Sequence, residues 1–198
     1  MRKRLIAGWL ILLSVALIAL FWHSEWKYNL PTPVPVDYKA VPPGRFITIN
    51  ASLQPSNGKP VFLHFFNPDC PCSRFNIKHF KSLVKQYGSQ VNFAIVAMTP
   101  KGYTAKDIQD RFDVRIPVVF DSSVAVACGV YSTPQAALIG TDHRLYYRGN
   151  YNRSRYCTDG RSNYAQMALD SLLSHKHPPV FDRLAITAYG CQLPNCTR

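Results

Sequence analysis

Lys59-Pro60-Val61-Phe62-Leu63-His64-Phe65-Phe66-Asn67-Pro68-Asp69-Cys70-Pro71-Cys72 is the stretch whose reading decides the fold. Pro60 to Phe66 is an apolar run of strand length, and Asn67-Pro68-Asp69 breaks it. A helix is predicted from about Pro71 to Tyr87, because proline suits a first helical turn and Gly88 stands where a C-terminal cap belongs. Phe80, Leu83, Val84 and Tyr87 fall on one face at helical spacing. Arg74, Lys78, Lys81 and Lys85 line another, which reads as a solvated face. Cys70 and Cys72 therefore stand where a buried strand hands over to a helix. Thiols there face unpaired backbone N–H groups and the positive end of the helix dipole, which favour the nucleophilic thiolate. Arg74 adds a nearby positive charge.

Downstream the pattern alternates. Val91 to Met98 reads as a strand, and Thr104 with Asp107 as a capping box opening a short helix that ends near Phe112. Ile116 to Phe120 reads as a third strand and Val124 to Val130 as a short helix. Gln135 to Gly140 and Leu145 to Arg148 form a hairpin across Asp142. Asn163 to His175 closes the domain as a helix, with Tyr164, Met167, Ala168 and Leu172 facing inward. Strands alternating with helices, then a hairpin and a last helix, indicate an α/β sandwich with a mixed central sheet flanked by helices.

Upstream, Arg2, Lys3 and Arg4 precede an apolar stretch from Leu5 to Trp22. As a helix, about 18 residues at about 1.5 Å each reach about 27 Å, enough for a bilayer core. The stretch ends in bulky Leu20, Phe21 and Trp22 rather than at a small-residue cleavage site, so an uncleaved signal anchor over residues 1–26 is expected. The positive-inside rule places Arg2 to Arg4 in the cytoplasm and the rest of the chain in the periplasm, as a single-pass protein of the cytoplasmic (inner) membrane. Residues 27–57 are rich in proline and read as a semi-rigid spacer, with Phe46-Ile47-Thr48-Ile49 as a short edge strand. The globular domain is expected over 58–178 and a cysteine-containing tail over 179–198.

The chain has 198 residues, of which 47% are hydrophobic and 17% charged, which excludes a largely disordered protein. Its net charge of +12 is scattered from Arg2 to Arg198 without a nucleic-acid-binding motif, so no nucleic-acid partner is expected. Six cysteines outside the cytoplasm can persist as disulfides, and six allow 15 pairings. Cys191 and Cys196 are close enough in sequence to staple the tail. Cys128 reads as a buried small hydrophobe, and Cys157 lies in a polar loop.

The strand and turn of Lys59 to Cys70 resemble those of thioredoxin-like proteins. Thr133-Pro134 before the strand at Gln135 resembles that superfamily's cis-proline loop. Gly140-Thr141-Asp142 with Tyr147-Arg148-Gly149 resembles a hairpin of the TlpA/redoxin branch. The resemblance covers Lys59 to about His175. It implies a thioredoxin-like three-layer sandwich and a thiol–disulfide oxidoreductase that needs no cofactor. In that reading Cys70 is the nucleophile, Cys72 the resolving thiol, and Pro134 shapes the groove and keeps metals off the thiols. The partners would be thiols or disulfides of exported proteins and a redox partner protein, with the membrane held through Leu5 to Trp22.

The chain departs from that pattern twice. Its motif is C-x-C rather than C-x-x-C, so a Cys70–Cys72 bond would be strained and easily reduced, and Cys70 has Cys191 as an alternative partner. His64 stands where the family often has a buried acid; it is either a proton acceptor with a pKa near neutral or a hydrogen-bonded core residue. A copper-handling protein resembling the Sco branch is the second functional reading, with Cys70 and Cys72 as soft ligands and His64 or His79 supplying a nitrogen.

Overall fold

A computed structural model describes residues 2–26, 30–50, 52–53, 55–154 and 156–193. Helix α1 spans Arg2–Phe21 and continues into a π-helical turn at Trp22–Trp26, with every side chain of α1 exposed. It is long and apolar enough to cross a membrane. Such all-round hydrophobicity on an exposed helix fits a membrane-spanning segment.

Among the described residues a five-stranded sheet has the order β3-β2-β1-β5-β6. Strand β1 is Val61–Phe66, followed by helix α2 (Pro71–Tyr87), β2 (Asn92–Ala97), helix α3 (Ala105–Phe112) and β3 (Val118–Val119). Helix α4 (Ser122–Cys128) and the short strand β4 (Ser132–Thr133) lead into β5 (Gln135–Ile139) and β6 (Leu145–Gly149). Helices α5 (Tyr164–Leu173) and α6 (Arg183–Ile186) precede β7 (Cys191–Gln192), which pairs with β4 as a separate two-stranded ribbon. Strands β1, β2 and β3 run parallel, whereas β5 and β6 are antiparallel to their neighbours.

β1 occupies the centre of the sheet and every one of its residues is buried, which is why its sequence reads as a continuous apolar run. Phe62 and Phe66 pack with Phe80, Leu83 and Tyr87 of α2 and with Tyr164, Ala168 and Leu169 of α5. On the other face Leu63 and Phe65 meet Val96, Val124, Ala125, Cys128 and Ile139. The capping box forms as expected: the Thr104 side chain accepts from the Asp107 N–H, and the Asp107 carboxylate accepts from the Thr104 N–H. Gly88 is right-handed (φ −61°), so α2 ends without a left-handed cap. In α5 the inner face is Tyr164, Ala165, Ala168 and Leu169, and Met167 is exposed.

Two boundaries differ from expectation. The proline-rich segment does not stand off the domain. Its Ile47 and Leu53 enter the second core cluster, and residues 44–47 hydrogen-bond along the β6 hairpin through Gly44 N–H to Leu145 O (2.7 Å) and Ile47 N–H to His143 O (2.8 Å). Phe46 makes an isolated bridge to Arg144 where an edge strand was expected. Residues 179–193 of the tail are likewise part of the fold. Ala185 and Ala188 are fully buried, and Pro31-Thr32 clasps the chain entering β7, with Thr32 N–H donating to Ala188 O (2.8 Å) and its hydroxyl to Gly190 O (3.2 Å). Proline content signals an extended backbone; it does not distinguish one held off a surface from one laid along it.

Candidate functional site

The turn after β1 is built by its own side chains. Asn67 Oδ1 accepts from the Asp69 N–H (2.9 Å), Ser73 Oγ accepts from the Asn67 N–H (3.2 Å), and Cys70 N–H donates to Asn67 O (3.1 Å). This delivers Cys70 as the N-cap of α2, with Pro71 at its first position and Cys72 in its first turn. The Thr133–Pro134 peptide is cis, as the resemblance implied, and the Thr133 carbonyl oxygen lies 4.0 Å from Cys70 Sγ.

Cys70 is disulfide-bonded to Cys191 of β7, 121 residues away in sequence. Of the pairings left open by the sequence, this one replaces both a Cys70–Cys72 bond and a tail staple from Cys191; Cys196 lies outside the described residues. Cys191 is placed by its pairing with Thr133 across the β4–β7 ribbon, and by Gly190 (φ +140°), where any side chain would run into the Thr133 carbonyl oxygen. The position at a helix tip would suggest an exposed Cys70 thiol, and the structure shows the opposite. Cys70 is 0% exposed, with Cys191 at 2% and Cys72 at 4%, because the tail strand covers the helix tip. The three sulfurs lie within 4.8 Å of one another.

Beside this cluster is a cleft of about 230 Å³ lined by Cys72, Asn76, Pro134, Arg153, Cys157 and Gly190, among others. Cys72 and Pro134 thus face the same opening. Asn76 donates to Cys157 Sγ (3.2 Å), and burial pushes the Cys157 thiol up to about 11. Cys128 is buried in the second core cluster, as expected, with its thiol pushed up to about 12 by the same cause. Both are protonated, inert thiols at neutral pH.

Next to Cys70 in sequence, Asp69 accepts from the Tyr103 hydroxyl (2.9 Å) and pairs with Lys101 (3.2 Å). Burial raises the Asp69 carboxyl, but these hydrogen bonds and the charges of Lys101 and Arg111 outweigh it and hold the pKa below the ordinary value. Nothing in the spacing of Asp69, Lys101 and Tyr103 announces this network, which depends on the β2–α3 loop folding over the turn.

His64 is fully buried, stacked on Phe80 (centroids 4.3 Å apart), with Nδ1 hydrogen-bonded to the Tyr151 hydroxyl at 2.7 Å. Desolvation lowers its pKa to about 3, so the expected near-neutral value is corrected and the ring is neutral at working pH. Neither His64 nor His79 belongs to the sulfur cluster, so the nitrogen ligand expected of a copper site is not found there.

A parallel β1-β2-β3 half, an antiparallel β5-β6 half, a cysteine-bearing helix N-terminus after the central strand and a cis-proline facing it define a thioredoxin-like fold. The chain belongs to the DUF6436 family, a domain of unknown function, whose match spans residues 45–193. No curated protein matches it. Among solved structures, a hypothetical protein from Sinorhizobium meliloti is 16% identical with a TM-score of 0.66, covering 80% of this chain and 97% of its own. An uncharacterized conserved protein from Geobacillus kaustophilus is 19% identical with a TM-score of 0.63, covering 82% and 97%. A thioredoxin-family thiol:disulfide interchange protein from Chlorobium tepidum is 18% identical with a TM-score of 0.49, covering 68% and 99%.

Proposed function

We propose that this protein is a thiol–disulfide oxidoreductase whose reactive bond is Cys70–Cys191. The observation that carries the reading is the position of that bond: one sulfur caps α2, the other sits on a two-residue strand, and both lie against the cis-proline loop beside an open cleft. In the reduced protein the Cys70 thiolate, favoured by the helix terminus, attacks one sulfur of a substrate disulfide. A mixed disulfide forms and the other substrate sulfur leaves as a thiolate. Cys191 thiolate then attacks Cys70 Sγ, the substrate leaves as a dithiol, and Cys70–Cys191 re-forms. Run backwards, the same steps oxidise a substrate dithiol.

Access to Cys70 requires the tail strand to lift. β7 is two residues long and, among the described residues, pairs with β4 alone; Leu193 N–H to Tyr131 O (3.2 Å) extends the ribbon by one bond, so this is an element of low local stability. Once the disulfide is open, the covalent tie that holds the strand over the helix tip is gone. The substrates are cysteines of exported proteins, and α1 anchors the domain on the outer side of the cytoplasmic membrane.

The test is trapping in cells with the full-length chain. Cys191→Ala accumulates mixed disulfides through Cys70, whereas Cys72→Ala still turns over. The proposal fails if neither variant captures a covalent partner, and the assignment of Cys191 fails if only Cys72→Ala does.

A further inference from the structure

We infer that the rim of the cleft docks on the anionic headgroups of the membrane that α1 spans, so that the cleft opens at the membrane surface. Chain length sets the first bound. Pro31 bridges to Tyr189, which lines the cleft beside Gly190. The step from Trp26, at the end of the membrane helix, to Pro31 is five residues, which fully extended reach at most about 18 Å. The proline-rich segment therefore cannot lift the cleft far from the bilayer. The tether is short, and the prolines beyond it are already laid along the domain.

Side-chain contacts set the orientation. Tyr156, next to Cys157 of the cleft, donates its hydroxyl to Glu25 Oε1 (3.1 Å). Glu25 lies in the π-helical turn between Trp22 and Trp26, whose rings stack with centroids 6.0 Å apart. Tryptophans at the end of a spanning helix sit at headgroup level. The same Tyr156 ring packs on Phe75 of α2 (centroids 4.9 Å apart), one residue before Asn76 of the cleft wall. Phe75 is 40% exposed and Tyr156 43%, so two large aromatic side chains mark the rim nearest the anchor.

The charges around that pair fit an anionic surface. Arg74 and Lys78 flank Phe75 on the exposed side of α2, and Arg153 is exposed on the cleft wall. Lys81, further along the same stripe, is drawn to Asp113 instead (2.6 Å). Of the acidic groups near the rim, Glu25 is engaged by Tyr156 and Asp159 pairs with Arg161 (3.5 Å). Cations beside exposed aromatic rings match phosphate headgroups above the acyl boundary. Docking of this kind requires α1 to be a membrane anchor, as the proposed function has it, and does not depend on which cysteines exchange.

Full-length protein is reconstituted in nanodiscs of phosphatidylcholine and phosphatidylglycerol in equal parts and footprinted with hydroxyl radicals. Mass spectrometry reads the oxidation of each side chain, corrected for its intrinsic reactivity. Phe46, 56% exposed beside Arg144 at the end of the sheet away from Cys70, and Phe120, 45% exposed, are the references within the molecule. Phe75 and Tyr156 should oxidise more slowly than both, and approach them as salt screens the surface. Arg74→Gln with Lys78→Gln should shift the docked-to-free ratio about 30-fold toward free. Phe75 then oxidises at the reference level, with circular dichroism confirming that the variant folds. Docking is overturned, and the anchor stands, if a chain that co-elutes with the nanodiscs leaves Phe75 and Tyr156 unprotected. It is overturned equally if their protection withstands both salt and the double substitution. A chain that does not enter the nanodiscs overturns the anchor and the docking together.

Discussion

His64 shows how much a single residue's setting decides. Its ring lies inside the sheet, and it makes one hydrogen bond, to Tyr151. Folded protein keeps it neutral down to about pH 3, whereas the unfolded chain protonates it near 6.5. The unfolded state therefore binds the extra proton in that interval. Stability that is complete above pH 6.5 is lost as pH falls, by about 1.4 kcal/mol per pH unit from this group. Replacing both partners, His64→Phe with Tyr151→Phe, removes the bond without orphaning either side, so the cost at pH 7 should be small. Denaturant midpoints measured from pH 7 to pH 4 should fall less steeply in the double variant; an unchanged slope would place the titration elsewhere. His79, also lowered by burial, leaves a residual slope in both proteins. At the other end of the site, Gly190→Ala puts a methyl group against the Thr133 carbonyl in a backbone conformation that side chains rarely adopt. The expected cost is about 1–3 kcal/mol. It should appear as a lower melting temperature and as Cys191 thiol that alkylates without reduction; full retention of the disulfide would contradict the role given to that glycine.

At the scale of elements, α3 carries a local signal that survives into the structure. Thr104→Ala should cost about 0.5–2 kcal/mol by removing one half of the capping box, with no effect on thiol exchange, as measured by chemical denaturation beside a disulfide-reduction assay. Signals of this kind were legible because they are local. The strand β1, the helix start at Pro71, the box at Thr104 and the hairpin around Asp142 all follow from residues a few positions apart. Elements placed by distant contacts were not. Residues 44–47 lie along β6, and Pro31-Thr32 holds the β7 segment, through backbone hydrogen bonds that leave no mark on composition. The site divides in the same way. Cys70, Cys72 and Pro134 could be read from their positions beside a strand and a helix. Cys191 could be named from sequence as an alternative partner, but not chosen over Cys72, because 121 residues separate the two sulfurs and the β4–β7 pairing brings them together.

Across the whole molecule, that bond ties the two ends of the globular fold to each other. A disulfide closing a loop of this length removes unfolded-state entropy worth up to about 5 kcal/mol. Reduction should then lower the melting temperature by roughly 10 °C or more, as read by circular dichroism with and without a phosphine; a shift below about 2 °C would mean the tail contributes little to the folded state. The clasp at Thr32, the tail strand and the helix tip form one chain of contacts around the sulfurs, so opening the disulfide should loosen the tail and expose the cleft together. The most direct measurement is isotope-coded alkylation of all cysteines in the full-length protein, equilibrated across a series of glutathione redox buffers and read by mass spectrometry. The account predicts that Cys70 and Cys191 become labelled in step, at one potential, while Cys128 keeps a constant state. Labelling in which Cys70 changes in step with Cys72 and Cys191 stays fixed would contradict it.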